Sequence, residues 1–222
     1  MDWQALILSF QLGLATVAVL VPAGVWLGRM LAYRQFRGKG FVEALVMLPL
    51  LLPPTVLGFY LLVAFSPDSA FGALFESIAG RTLAFSFEGL LLASILINVP
   101  FVVQPIQRAF EAVPLAVREA AACCGMNRRA AFAGIELPLA WPGIMTGLVL
   151  ALAHTLGEFG VVLMVGGAIP GETRTISIAI YDRVQAFDDR AAGVMAATLL
   201  VITLLALGIT NTLARRIGRQ RV

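Results

Sequence analysis

Long apolar stretches separated by short polar segments dominate this chain. The five longest stretches lie at residues 5–28, 41–65, 87–107, 142–166 and 191–213. A helix that crosses a membrane needs about 20 mostly apolar residues, and each stretch meets that length. The pattern therefore predicts an all-α polytopic membrane protein with five transmembrane helices in a single domain over residues 1–222.

The composition excludes a soluble domain of this length. Hydrophobic residues make up 59% of the chain and charged residues only 13%, which makes the bilayer its natural solvent. No Lys or Arg precedes the first stretch and no small-residue cleavage site follows a short apolar core, so we expect that stretch to remain as a membrane helix. No basic face interleaved with aromatic residues is left to bind nucleic acid.

The cations are distributed unevenly among the connecting segments. The loops after the first and third stretches and the end of the chain hold twelve of them: Arg29, Arg34, Arg37, Lys39, Arg108, Arg118, Arg128, Arg129, Arg215, Arg216, Arg219 and Arg221. The opposite loops hold four arginines, accompanied by acidic residues. Because cytoplasmic loops carry the excess of Lys and Arg, this asymmetry predicts a cytoplasmic C-terminus, and five spans then place the N-terminus outside.

Prolines interrupt two of the predicted spans. Pro49, Pro53 and Pro54 lie in the second, and Pro100 and Pro105 lie in the third. Each removes a helical hydrogen bond, so these spans are expected to kink or break there, with neighbouring helices covering the freed carbonyl groups.

The segment at residues 108–141 is too long and too patterned for a simple connector. It is rich in Ala with Arg and Glu, which favours short helices, and Gly125 offers a sharp turn between them. The pattern predicts a helix, a turn and a second helix outside the bilayer. The adjacent Cys123 and Cys124, with a single His in the chain, give no metal site.

This segment carries a resemblance to a known family. It reads EAAACCGMNRRAAFAGIELP, and so resembles the permease subunits of ABC importers, whose cytoplasmic loop has the pattern EAA, three residues, G, nine residues, I, one residue, LP. The resemblance implies a coupling helix around residues 125–133 that docks on a separate ATP-hydrolysing subunit. The residues implied at that interface are Glu119, Ala120, Ala121, Gly125, Met126, Asn127, Arg128, Arg129, Leu137 and Pro138.

The chain itself is not expected to be an enzyme. It contains no Gly-rich phosphate loop ending in GK[ST], so it needs no cofactor, and ATP and Mg²⁺ are expected on the partner subunit. No HExxH or GxSxG motif suggests a membrane-embedded enzyme either. An ion-coupled secondary transporter is a further alternative, but five unequal spans do not give the inverted repeats that it needs.

A second informative segment reads HTLGEFG at residues 154–160. His154 and Glu158 are four residues apart, so they are able to share one helix face. Ionisable groups in hydrocarbon are costly and usually face a bundle interior or a cavity, which predicts a translocation path or gate at His154, Thr155, Glu158 and Phe159. The alternative is that His154 and Glu158 only satisfy each other or a nearby backbone group.

Residues 169–176 read IPGETRTI, with Pro170 and Gly171 expected to form a turn on the outer side. Together with LGEFG and LPLLLPPTVLGFYLLV, this segment resembles the molybdate branch of the ABC permeases. Sulfate permeases share much of the pattern, so sulfate, thiosulfate and tungstate remain alternatives. Pro170, Gly171, Glu172 and Arg174 are predicted in the outer loop, where Arg174 meets a binding protein, the anion or only solvent.

The resemblance implies the rest of the assembly. The fold would be that of a type I ABC importer permease, with five helices, or six where an N-terminal helix is added. The chain would act in a bacterial inner membrane as a homodimer, since one small subunit cannot enclose a path. Two ATP-binding subunits and a periplasmic molybdate-binding protein would complete the importer.

Overall fold

The computed structural model describes residues 1–219, and for residues 209–211 and 213–219 it describes the backbone alone. Every regular element in this part of the chain is helical. The helices are α1 (Trp3–Tyr33), α2 (Lys39–Leu51), α3 (Pro54–Phe65), α4 (Ala70–Ala79), α5 (Phe87–Glu111), α6 (Leu115–Cys123), α7 (Arg128–Ala131), a π-helical turn (Phe132–Glu136), α8 (Leu137–Gly157), α9 (Gly160–Gly166), α10 (Ile176–Gln185) and α11 (Asp189–Arg219).

The number of spans agrees with the prediction. Within residues 1–219, four continuous helical runs are long and apolar enough to cross a membrane: α1, α5, the run Arg128–Gly157, and α11 over Asp189–Gly208. Helices α2 and α3 pass the same test together, as one span bent by 107°. The predicted spans at 5–28, 87–107 and 191–213 are therefore confirmed, and that at 41–65 is a broken span. Arg221, predicted to be cytoplasmic, lies outside the described residues.

Proline breaks the second span but not the third. Leu52 and Pro53 adopt extended backbone conformations, and Pro54 begins α3, where its missing N–H costs no hydrogen bond. Pro100 and Pro105 lie inside α5, which runs without interruption. The expectation of a break was thus right for the second span, while the third is one continuous helix.

The predicted bounds of the fourth span, 142–166, were wrong. Its helix begins at Arg128 and runs through the π-helical turn to Gly157. Glu158 then adopts an extended conformation with ψ of 130° and ends it, and α9 is a separate short helix. The hydropathy pattern missed the end because apolar residues continue across the break, and it missed the start because Arg128, Arg129 and Glu136 lower the hydropathy of the first turns.

Helix α5 is the centre of the bundle, and glycines let its neighbours approach it closely. Gly24 and Gly28 of α1 face Val102 and Ile106 of α5, and Gly143 and Gly147 of α8 face its backbone at residues 102–105. Small residues four apart on one helix face allow this kind of close packing in membranes. Side chains from α1, α5 and α8, including the fully buried Phe110, form the largest core cluster.

A buried polar cluster also joins these three helices. Thr16 donates a hydrogen bond to Ser94 over 2.8 Å, and the amide of Asn98 donates to Thr155 over 3.0 Å. All four side chains belong to residues that are at most 1% exposed. Hydrogen bonds between membrane helices are worth about 0.6 kcal/mol on average, so the cluster fixes helix register more than it adds stability.

We expect Gly143→Ala to destabilise the bundle. A Cβ atom at position 143 would lie 2.6 Å from the carbonyl oxygen of Pro105 and 2.4 Å from the Cβ of Ala109, and neither is the flexible end of a side chain. The clash should lower the free energy of unfolding by about 1–3 kcal/mol, measured as a lower Tm of the detergent-purified protein.

Gly193→Ala in α11 is the matched control. A Cβ there meets nothing within 4 Å, and replacing an exposed helical Gly by Ala is favourable by up to about 1 kcal/mol. A Gly143→Ala protein that melts at or above the temperature of the Gly193→Ala protein would contradict the close approach of α8 to α5.

Candidate functional site: coupling loop and helix breaks

The loop between α5 and α8 contains a short helix, α7, that has no buried residue. Helix α6 ends at Cys123, and Gly125 reverses the chain with φ of +74°, in the left-handed region that favours glycine. The side chain of Asn127 then accepts a hydrogen bond from the amide of Ala130 over 2.9 Å and begins α7. The predicted helix, turn and helix are therefore present, with α7 shorter than the predicted segment at 125–133.

Most predicted interface residues of this loop are accessible. Glu119, Ala120, Asn127, Arg128 and Arg129 are exposed, as is Gly125. Ala121 differs because it is 4% exposed and packs inside. Met126, Leu137 and Pro138 are half-buried, and the last two begin α8 after the π-helical turn.

Helix α7 is joined to the span without a break. Wider helical turns connect it to α8, with the amide of Leu137 donating to the carbonyl of Phe132, five residues back. Pro138 has no amide hydrogen for the next bond of a regular helix, which fits the change of helical pitch at this point. Such π-helical turns are often found at functional sites.

The HTLGEFG segment forms the second part of the site, at the break between α8 and α9. Glu158 Oε1 accepts a hydrogen bond from the amide of Val161 over 3.0 Å, and the carbonyl of Glu158 accepts one from Ser177 Oγ over 2.6 Å. His154 Nε2 lies 3.7 Å from Glu158 Oε2. The predicted proximity of His154 and Glu158 is present, but Glu158 stands beyond the end of the helix and caps α9.

The two helix breaks lie side by side. A Cβ atom on Gly160, at the start of α9, would lie 2.9 Å from the Cβ of Pro54, at the start of α3. The ring of His154 stacks on Phe101 with centroids 4.2 Å apart, and that of Phe159 contacts Tyr181 at 4.8 Å. The structure therefore brings His154, Glu158 and Phe159 to one junction.

Thr155 does not join them. It is 1% exposed and belongs to the polar cluster of α1, α5 and α8. Its hydroxyl group also donates to the carbonyl of Ala151 in its own helix. The residue that follows His154 in the sequence thus points into the core of the helix bundle.

The IPGETRTI segment is a tight turn. Gly171 has φ of +79°, and the amides of Glu172, Thr173 and Arg174 all donate to the carbonyl of Ile169 over 3.0 to 3.2 Å. Pro170, Gly171 and Glu172 are exposed, and the backbone turns at these residues as expected, while its place on the outer side stays a prediction.

Arg174 is held inside the protein rather than left in solvent. Its guanidinium lies 2.8 Å from Asp182 and 3.5 Å from Asp2, and its side chain is 22% exposed. The amide of Ile176 donates to Ser9 Oγ over 2.8 Å beside it. These contacts tie the turn to the start of α1, and no motif in the sequence indicates them, because Asp2 and Asp182 are 180 residues apart.

Sequence reasoning also missed an ion-pair cluster. Arg29 in α1 and Arg118 in α6 both approach Glu136, at the end of the π-helical turn. Glu136 occupies one of the variable positions of the loop motif, between Ile135 and Leu137, so the motif gives no reason to select it. A glutamate flanked by apolar residues just before a span was the only available signal.

Comparison with known proteins identifies the family of this chain. Residues 21–219 match the model of the family described as binding-protein-dependent transport system inner membrane component. The molybdenum transport system permease protein ModB of Azotobacter vinelandii is 42% identical over 206 residues, covering 93% of this chain and 91% of that protein. The sulfate transport system permease protein CysT of Salmonella typhimurium is 32% identical over 199 residues, covering 90% and 72%.

A solved structure shares the fold. The crystal structure of a bacterial alginate ABC transporter, in complex with an alginate pentasaccharide-bound periplasmic protein, contains a chain that matches with a TM-score of 0.77. The match covers 96% of this chain and 78% of that chain at 20% identity, so it speaks to the fold alone. On the match of the family model over residues 21–219, this chain belongs to the binding-protein-dependent transport system inner membrane components.

Proposed function

We propose that this chain is the permease subunit of an ATP-driven molybdate importer and moves the oxyanion by alternating access. The observation that carries the proposal is α7, a helix with exposed Arg128 and Arg129 that follows the turn at Gly125 and continues without a break into α8. A displacement of α7 by a bound partner would therefore be transmitted along the helix to α8, inside the membrane. The similarity to the ModB permease of Azotobacter vinelandii supports molybdate as the cargo.

The partner at α7 is an ATP-binding subunit, in two copies for a homodimer of this chain. ATP and Mg²⁺ bind to that partner, and this chain supplies only the docking surface. Glu119, Asn127, Arg128 and Arg129 are exposed and free to pair with the partner, and the small Ala120 and Gly125 allow its close approach. The family name supports an importer that works with a binding protein.

The path lies along the junction of the two helix breaks, between two copies of the chain. Broken helices in transporters gather near the site where the substrate passes. His154 is able to donate a hydrogen bond to an oxyanion, whereas the carboxylate of Glu158 would repel one. Glu158 therefore acts as the cap that holds α9 in place, and Phe159 fixes the junction against α10.

The orientation follows from the charges. The loops on the side of α7 hold most of the cations, so this side faces the cytoplasm and the N-terminus lies outside. The exposed Pro170, Gly171 and Glu172 then face the periplasm, where they form part of the surface that meets a molybdate-binding protein. Arg174 supports this turn from inside through Asp2 and Asp182.

Sulfate is the alternative cargo, favoured by the similarity to CysT. Uptake of labelled molybdate at trace concentration separates the two, in cells that lack their own transporter and express this chain with its ATP-binding subunit and binding protein. We expect energy-dependent uptake that excess sulfate does not reduce. Uptake abolished by sulfate would assign the chain to sulfate, and uptake without the ATP-binding subunit would indicate a secondary transporter.

The charge of α7 is expected to speed docking of the ATP-binding subunit. The double variant Arg128→Glu, Arg129→Glu should slow association by about tenfold or more at low salt, because interface charges act mainly on the rate of encounter. The association rate of the detergent-purified chain with the ATP-binding subunit measures this. The double variant Arg34→Glu, Arg37→Glu, at two exposed cations outside the loop, is the control because it changes the net charge by the same amount. Equal slowing by both double variants would point to net charge alone.

Glu158 is expected to act through its hydrogen bond to Val161 rather than through its charge. Glu158→Gln keeps an acceptor for the amide of Val161 and should leave molybdate uptake near that of the wild type. Glu158→Ala removes the cap, which is worth about 1 kcal/mol, and should lower uptake. If Glu158→Gln lowers uptake as much as Glu158→Ala does, the charge is required and the capping role is wrong.

A further inference from the structure

A buried carboxylate connects three elements beside α7. Glu136 is the last residue of the π-helical turn, and its side chain is 6% exposed. Arg29 Nε, from α1, lies 2.5 Å from one of its oxygens, and Arg118 Nε, from α6, lies 3.7 Å from the other. One carboxylate therefore joins α1 and α6 to the helix that carries α7.

Aromatic rings hold both guanidinium groups in place. The Arg118 guanidinium lies 3.6 Å from the centroid of the Tyr33 ring, and that of Arg29 lies 5.1 Å from the Phe132 ring. Tyr33 in turn meets Phe110 edge-on, with centroids 5.9 Å apart, and Phe110 is fully buried. Cations are attracted to the faces of aromatic rings at these distances. The ion-pair cluster of Arg29, Arg118 and Glu136 is thus anchored in the core of the bundle.

The cluster borders a cleft of about 750 Å³ between α1, α6 and α7. The side chains of Arg29 and Arg118 are 36% and 32% exposed in it, whereas Glu136 is nearly covered. The guanidinium groups are therefore partly hydrated, whereas the carboxylate depends on them for its stabilisation. A buried carboxylate without its cations is strongly disfavoured, so the cluster resists any separation of α1 from the π-helical turn.

The ion-pair cluster lies on the route by which a displacement of α7 would reach the membrane helices. Helix α7, the π-helical turn and α8 form one run, Arg128–Gly157, and Glu136 lies between the exposed part and the membrane span. A displacement of α7 therefore reaches α8 along the helix axis. It reaches α1 only through side-chain contacts, of which the pair of Glu136 with Arg29 is the shortest ion pair to α1 in the described part of the chain.

We propose that Glu136 is a positioning residue for coupling: through Arg29 it makes α1 move together with α7 and α8 when the ATP-binding subunit displaces α7. The inference rests on the proposed function, because it takes α7 as the contact with that subunit. An ion pair that only stabilises the fold is the competing interpretation. The two differ in the amount of anion transported for each ATP hydrolysed.

The test uses the complete complex of permease, ATP-binding subunit and binding protein in proteoliposomes. Glu136→Gln removes the charge while leaving Arg29 and Arg118 half-exposed to solvent, so no buried charge is left unpaired and the variant is expected to fold. We expect its basal ATP hydrolysis, measured without the binding protein, to stay close to that of the wild type. Molybdate taken up per ATP in the complete complex should fall to about one fifth or less of the wild-type value, as allosteric couplings typically give.

Arg29→Gln opens the same pair from α1 and should lower the ratio in the same way. The double variant should be no worse than either single variant, because both remove one interaction. Glu88→Gln is the matched control, since Glu88 pairs with Arg81 at the same distance of 2.5 Å but with no contact to the coupling loop. It should leave molybdate per ATP unchanged.

The measurements distinguish a coupling role of Glu136 from a role in stability alone. If Glu136→Gln lowers the Tm of the complex and reduces uptake and ATP hydrolysis in parallel, with an unchanged ratio, Glu136 only stabilises the fold. Stimulation of ATP hydrolysis by the binding protein gives a second readout, which is measured without following anion uptake. A wild-type complex that is stimulated but takes up no molybdate contradicts the proposed cargo, and loss of that stimulation in Glu136→Gln but not in Glu88→Gln still supports the coupling role.

Discussion

Backbone N–H and C=O groups inside a bilayer have no water to bind, so every interruption of a helix needs a partner within the protein. This chain interrupts two of its spans and supplies a different solution for each. Pro54 begins α3 and leaves no amide hydrogen to satisfy at that position, while Glu158 supplies its carboxylate to the amide of Val161 at the start of α9. The close contact of Gly160 with Pro54 shows that the two helix breaks lie next to each other.

Polar side-chain contacts hold α1 at both ends and in its middle. Its N-terminal end is held by Asp2 on Arg174 and by Ser9 on the amide of Ile176. Its middle is held by Thr16 on Ser94, and its other end by Arg29 on Glu136. Because hydrophobic contacts between membrane helices gain little over contacts with lipid, polar contacts and close glycine packing are what specify the position of a helix.

Glycine packing and the buried polar cluster fix the register of α1, α5 and α8 in the middle of the bundle. At the end that carries α7, the pair of Arg29 with Glu136 connects α1 to the π-helical turn. The exposed α7 continues into α8, and the helix breaks lie at the other end of α8. In the proposed importer, one continuous helix therefore connects the docking surface for the ATP-binding subunit to the junction at the path.

The sequence alone determined the membrane class, the number of spans, the turn at Gly125 and the turn at Gly171. These features follow from residues that are close together in the sequence, through their composition, spacing or backbone conformation. Only the tertiary structure decided that the fourth span begins at Arg128 and ends at Gly157, that Thr155 faces the core, and that Glu158 caps α9. It alone paired Arg29 with Glu136 and Arg174 with Asp2, because residues so far apart in the chain meet only after the helices have packed, and neither hydropathy nor motif spacing encodes which faces meet.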